Sequence, residues 1–188
     1  MRRAVIAAVT TGLLLAATTP LVAQVAPQPG PQPGDGATVE SMMTALYATV
    51  TRTRGQNFDW PRMRALFLPG AQLVPATQPA TDSVRRYSVE AFVSMIDASW
   101  ARSAPIGSDG DQGFYEREIN LVKEEYGDVA IAFSTYEKGV QTAGAPRYRG
   151  INAIQLVKSR GRWWITSMSW DEEAGAGPLP PRYAGAPR

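Results

Sequence analysis

Apolar and polar positions fall into two regimes along this chain. Between Thr38 and Arg52, Val39, Met42, Met43, Leu46, Tyr47 and Val50 recur every three or four positions, which lays one apolar stripe along a helix. Thr38 suits its N-cap, and Gly55 to Asn57 ends the segment. Asp59-Trp60-Pro61 opens a second helix, with an acidic cap and a proline in the first turn, where a missing N–H costs nothing. Leu66, Phe67 and Leu68 close it, and Pro69-Gly70 stops it. A brief strand is expected over Ala71 to Val74. Ser88 caps a third helix, SVEAFVSMIDASWA, whose apolar face holds Val89, Phe92, Val93, Met95, Ile96 and Trp100.

From Gly113 the period becomes two, and strands are predicted over Phe114–Glu125, Val129–Lys138, Arg147–Lys158 and Arg162–Asp171. Short turns at Tyr126-Gly127-Asp128 and Ser159-Arg160-Gly161 make neighbours antiparallel. The first hairpin then sets Glu118 opposite Tyr136, Asn120 opposite Ser134, Arg117 opposite Glu137 and Glu116 opposite Lys138. The last sets Leu156 opposite Trp164, Ile154 opposite Thr166, Asn152 opposite Met168 and Val157 opposite Trp163. Trp163 and Trp164 must point to opposite faces, because strand side chains alternate. This register groups Trp164 and Trp170 with Leu156 and Met168, and Trp163 with Val157 and Ile165. Both faces of Val129 to Lys138 carry apolar residues, so helices cover one face while chain or a second copy covers the other. Three helices followed by a meander of long strands is an α+β domain.

The ends differ in kind. MRRAVIAAVTTGLLLAATTPLVAQ has a basic start, an uncharged apolar run and small residues before a cut, the pattern of a secretory signal peptide cleaved after Ala23. Residues 24–36 form a Pro- and Gly-rich linker, 37–173 the folded domain, and 174–188 a flexible tail. A periplasmic or secreted location is expected, with no membrane attachment once the signal is removed. The chain has no Cys and no His, which removes the imidazole base and the usual ligands of zinc and copper. No metal site and no cofactor are expected. The net charge of +2 falls to about zero when Arg2 and Arg3 leave, so nothing favours nucleic acid. Asp109 to Gly113 hints at a calcium loop, but its twelfth position is Asn120 rather than Glu.

The stretches FDWPRMRALFLPGAQLV, FYEREINLVKEEYGDVAIAFSTYEKG and RYRGINAIQLVKSRGRWWITSMSWDEE, in this order of elements, resemble the nuclear-transport-factor-2-like superfamily, which includes SnoaL-like cyclases and ketosteroid isomerases. The resemblance implies a cone: three N-terminal helices packed into a strongly curved antiparallel sheet, a cystatin-like α+β roll with a pocket at its wide end. It does not imply an activity, since one fold hosts many functions. The isomerase base would fall at Val74 and Pro75, which cannot serve, and the family's dehydratases rely on His. Tyr47 matches the family's donor tyrosine or is simply a core residue on the helix stripe.

Glu118, Asn120, Ser134 and Tyr136 share one face of the first hairpin, and Asn152 on the next strand joins them if the third pairing keeps that parity, which the length of the connecting loop leaves open. Glu118 and Tyr136 are the weak catalytic candidates, as an acid–base pair; a structural hydrogen bond between them is the plainer alternative. The expected ligand-binding set is Tyr47, Trp100, Glu118, Ser134, Tyr136, Asn152 and Trp164. Arg149 either clamps a ligand carboxylate or pairs with Glu137. The function expected is a non-catalytic module that binds a small apolar ligand or associates with protein. The alternative is an isomerase, cyclase or hydrolase using Glu118 and Tyr136. A homodimer through the sheet is the expected assembly.

Overall fold

The structure is a computed structural model that describes residues 32–76, 84–142, 145 and 147–185. The expected signal peptide and its cleavage site lie outside the described residues. Each of the three expected helices begins where the sequence places its cap. Helix α1 (Val39–Thr49) starts behind Thr38, whose Oγ1 accepts the Ser41 amide at 3.1 Å while Ser41 Oγ accepts the Thr38 amide at 3.0 Å. Helix α2 (Trp60–Leu66) starts behind Asp59, which accepts from Arg62 N, with Pro61 in the first turn. Strand β1 (Phe67–Pro75) follows at once, and β2 (Tyr87–Ser88) leads into helix α3 (Val89–Ser103), capped by Ser88. The meander is β3 (Tyr115–Tyr126), β4 (Val129–Gly139), β5 (Arg147–Ser159) and β6 (Arg162–Glu172). A single turn of helix, α4 (Glu173–Ala176), ends it.

The result is a mixed α+β fold, a curved, unclosed six-stranded sheet in the order β2-β1-β6-β5-β4-β3 with helices against one face. Neighbours in the meander are antiparallel, as the short turns require, while β1 lies parallel to β6. Strand β1 is longer than the sequence suggests. Pro69-Gly70 does not separate helix from strand but falls at an irregularity inside the β1–β6 pairing, with Gly70 at φ 89°. The core lies between the helices and the inner sheet face. Met42, Met43, Leu46 and Met63 meet Ala132, Ile154, Leu156, Trp163 and Ile165 there, all buried. Burying each aliphatic side chain of this size stabilises the fold by about 1.5–3 kcal/mol before entropy is counted.

Two strands carry an extra residue, and both change which side chains face the core. The β3–β4 turn pairs Tyr126 with Val129, one step from the expected register, and an irregularity at Ile119 restores it. Glu118 therefore does face Tyr136, Arg117 faces Glu137 and Glu116 faces Lys138, as the sequence suggests. Asn120 instead pairs with Thr135 on the outer face, so it leaves the group of Glu118, Ser134 and Tyr136. The β5–β6 turn uses only Arg160 and Gly161, both at positive φ, and pairs Ser159 with Arg162. Leu156 then meets Ile165 and Val157 meets Trp164, and an extra residue at Thr166 brings Met168 opposite Ile154 and Trp170 opposite Asn152. The expected tryptophan grouping is thereby corrected. Trp163 is buried in the core with Ile165, and Trp164 lies on the outer face under the Arg162 guanidinium, 3.6 Å from its ring centre.

The segments flanking the meander and α1 are packed. Asp35 accepts from Arg62 Nε and Nη2 at 2.9 and 2.7 Å, and the Trp163 amide donates to Gly36 O at 2.8 Å. Beyond α4 the chain returns over the outer face. Thr135 Oγ1 donates to Tyr183 O at 2.7 Å, and the Tyr183 ring lies 5.2 Å from that of Phe133. Arg149 pairs with Glu173 at 2.8 and 2.9 Å rather than with its cross-strand neighbour Glu137, which takes Arg117 at 2.9 Å. The α4 turn brings Glu173 within reach of the Arg149 fork, and a two-bond pairing wins over a single contact.

Asp111 ties the loop after α3 to the end of α1. Its carboxylate accepts from the Gly107, Gly55 and Gly113 amides at 2.8, 2.9 and 3.1 Å and from Arg52 Nη1 at 2.8 Å. The calcium-like loop is thus closed by its own amides. The Gly107 and Gly55 amides lead in holding this carboxyl well below the usual carboxylate range. A lowered folded-state pKa contributes stability above the ordinary value of 3.8 and loses it as pH falls below that. Asp111→Ala should lower the urea midpoint far more than the exposed neighbour Asp109→Ala, and should flatten the loss of stability between roughly pH 4 and 2. Equilibrium urea unfolding of both variants across that range checks this.

Candidate functional site

The cone's wide end holds a cavity of about 250 Å3 between α2, α3 and the inner face of the meander. Its wall is mainly aromatic and aliphatic. Trp60 comes from α2, Phe92 and Trp100 from α3, Phe114 from the approach to β3, and Trp170 from β6. Phe58, Trp100 and Phe114 contact one another edge-on or tilted at 5.9–6.3 Å between centroids, and Phe92 meets Trp170 edge-on at 5.7 Å. Arg52 sits behind this wall, 4.5 Å from the Trp100 ring centre, its charge already taken by Asp111.

Four polar side chains break the apolar lining: Glu116, Tyr136, Lys138 and Asn152. They come from three adjacent strands, and each faces inward by strand parity. Lys138 Nζ is 2.5 Å from Glu172 Oε1, so this ammonium has its counter-ion at hand. Tyr136 is 1% exposed, and its hydroxyl has no hydrogen-bond partner among the described residues. Space for that hydroxyl exists because residue 150 on β5 is glycine. A Cβ there would stand 2.5 Å from the Tyr136 hydroxyl and 2.4 Å from the Asp171 carbonyl. The ring packed over Gly150 is Tyr136.

Glu116 is the residue that sequence reasoning missed as a site member. Burial among apolar side chains pushes its carboxyl up to about 7, against the opposing pull of Lys138 and a hydrogen bond from Asn152. The only signal in the sequence was its parity with Phe114 and Glu118 on an inward-facing strand.

A hydrogen-bonded row runs behind the cavity. Asn152 Nδ2 donates to the Tyr47 hydroxyl at 3.1 Å, Tyr47 and Ser134 are 2.6 Å apart, and Ser134 Oγ donates to Glu118 Oε2 at 2.5 Å. An amide N–H can only donate and the serine proton is committed to Glu118, so Tyr47 donates to Ser134. Burial raises the Tyr47 pKa and keeps the phenol neutral, and burial also raises the pKa of Glu118 against the Ser134 hydroxyl.

The expected binding residues therefore separate into three places. Trp100, Tyr136 and Asn152 line the cavity. Tyr47, Ser134 and Glu118 form the row behind it. Trp164 is on the far side of the sheet. Glu118 and Tyr136 face each other across two strands, but no hydrogen bond joins them, because Ser134 claims the carboxylate. Among the described residues no cluster of carboxylates could hold a metal ion.

Neither a protein-family model nor a curated protein matches the sequence. Solved structures similar in fold include a nuclear-transport-factor-2-like protein with a cystatin-like fold from Novosphingobium aromaticivorans, at 12% identity over 63% of this chain and 71% of that one, with a TM-score of 0.49. A nuclear-transport-factor-2-like protein of unknown function from Silicibacter pomeroyi is 20% identical over 72% of this chain and 98% of its own, with a TM-score of 0.43. A hexachlorocyclohexane dehydrochlorinase from Novosphingobium barchaimii is 13% identical over 65% and 82%, with a TM-score of 0.46.

The raised Glu116 pKa has a sign that can be measured. Between its ordinary value of 4.5 and about 7 the unfolded chain releases this proton and the folded chain keeps it. Stability from this group is therefore greatest below 4.5 and falls as pH rises to about 7, by up to about 3 kcal/mol. Glu116→Gln should be more stable than the parent at about pH 8 and should lose this component of the pH dependence, as read by urea unfolding at roughly pH 5 and 8.

Proposed function

We propose that the protein binds a small, mostly apolar molecule carrying one polar group in the cavity at the wide end of the cone. The observation that carries this reading is the cavity itself, whose aromatic and aliphatic wall is broken by the polar residues Glu116, Tyr136, Lys138 and Asn152. The cavity, at about 250 Å3, is at the small end of ligand sites, which run from roughly 300 to 1,000 Å3. Asn152 and Glu116 supply further polar groups beside Tyr136. The binding reading is favoured over acid–base work by Glu118 and Tyr136 because Glu118 is bonded to Ser134 instead of lining the cavity.

The proposal includes export after cleavage at Ala23 and a twofold dimer through the outer sheet face. Val129 and Ile131 are about half exposed on that face and Tyr126 is 88% exposed, beside the part that the returning chain covers at Phe133. Among the described residues no helix is long and apolar enough to cross a membrane.

Native mass spectrometry of the protein recovered from its producing cells tests all three elements. The expected spectrum has a mature chain beginning at Gln24, a dimer, and a non-covalent adduct lost on denaturation. Tyr136→Phe should keep the adduct and keep or gain stability, by at most about 1 kcal/mol, because a buried hydroxyl without a partner among the described residues has been removed. A bare protein that also fails to bind apolar small molecules would sink the ligand reading.

A further inference from the structure

The cavity's charge balance points to the class of ligand, and this inference rests on the ligand-binding reading above. Three ionisable side chains meet on the polar side of the wall: Glu116 from β3, Lys138 from β4 and Glu172 from β6. Lys138 and Glu172 neutralise each other at 2.5 Å. The other charged or titratable groups packed nearby are also spoken for. Arg52 is paired with Asp111, and Asp97 on α3 takes the Trp60 indole N–H at 2.7 Å. Tyr47 and Tyr136 stay neutral, since burial raises both. When Glu116 ionises, the site holds one uncompensated negative charge inside an aromatic wall. A carboxylate so placed is costly unless a cation joins it. Aromatic faces at Trp60, Trp100, Phe114 and Trp170 are the surface that a cation prefers among apolar ones.

We propose that the cavity takes a protonated amine on a small apolar body, with Glu116 as its counter-ion and the aromatic wall around its apolar part. The neutral alternative, a carbonyl or alcohol bonded by a protonated Glu116, uses the same residues but reverses the dependence on pH. An ammonium ligand needs the ionised carboxylate, so its affinity rises with pH through the Glu116 transition. A neutral acceptor needs the proton, so its affinity falls.

The test compares 2-phenylethylamine with its neutral counterpart 2-phenylethanol by isothermal titration calorimetry on the full exported chain. The amine should bind at least about tenfold tighter than the alcohol at about pH 8. Its affinity should drop about tenfold on going to roughly pH 6, because one proton must then be displaced from a group titrating near 7. Glu116→Gln should remove both the preference and the pH effect. The native pH profile alone decides the matter if that variant does not fold. An alcohol that binds as well as the amine, or an amine affinity that is flat or falls with rising pH, overturns the amine assignment and leaves the ligand-binding reading standing. If neither compound binds, the amine assignment fails. The binding reading fails with it only if native mass spectrometry also finds no adduct.

Discussion

Side chains on a strand alternate between faces, and this one constraint governs everything in the site. Strands β4 and β5 keep strict alternation, so Ser134, Tyr136, Lys138, Gly150 and Asn152 point inward together. Strands β3 and β6 would not match them without one extra residue each. At the turn end of β3 the inward residue is Leu121; without the irregularity at Ile119, Arg117 and Tyr115 would follow it inward and Glu116 and Glu118 would face out. At the turn end of β6 the inward residues are Trp163 and Ile165. Without the step at Thr166, Ser167, Ser169 and Asp171 would replace Met168, Trp170 and Glu172. The cavity's carboxylate, its back aromatic and the counter-ion of Lys138 all depend on these two insertions. Extra residues of this kind also increase local twist and bend the strand, which suits a sheet that wraps around helices.

The polar content of the interior divides according to how each group is satisfied. Behind the cavity, Asn152, Tyr47, Ser134 and Glu118 form a row in which each hydroxyl proton has a stated acceptor. Such a row fixes α1 against the sheet with direction as well as affinity, because each hydroxyl can point only one way. In the cavity the opposite holds. Tyr136 is held by packing over Gly150 with its hydroxyl unpaired, and Glu116 is kept near neutrality by burial. A fold tolerates costs of this order where a site is built, since the stabilising contacts are made elsewhere. Here they are made in the apolar core, in the Asp111 cluster and in the row behind Tyr47.

Much of the fold was legible because it rests on local rules. The caps at Thr38, Asp59 and Ser88 and the change from helical to alternating periodicity at Gly113 all follow from side-chain chemistry within a few residues. The pairing of Arg117 with Glu137 was also expected, but it holds only because the irregularity at Ile119 offsets a turn one step from the expected register. The site was legible in part for the same reason. Trp100 falls on a helix stripe that the sequence reveals and Tyr136 on a strand whose alternation it gives; which face lines the cavity, and that Asn152 shares it, came from the fold, while Trp164 was grouped with the wrong residues through a turn counted one residue too long.

The sequence by itself determined the element order, the capped starts of the three expected helices, the absence of thiol and imidazole chemistry and the alternation along the regular strands. Each of these depends on composition or on neighbours close in the chain. Only the tertiary structure decided that Glu116 enters the cavity, that Tyr136 is left without a partner, that Arg149 reaches Glu173 and that the chain beyond β6 returns over Phe133. These outcomes depend on where an extra residue is absorbed in a long hairpin and on which of several nearby charges closes first. Both are settled by the summed packing of whole strands, which no short stretch of sequence contains.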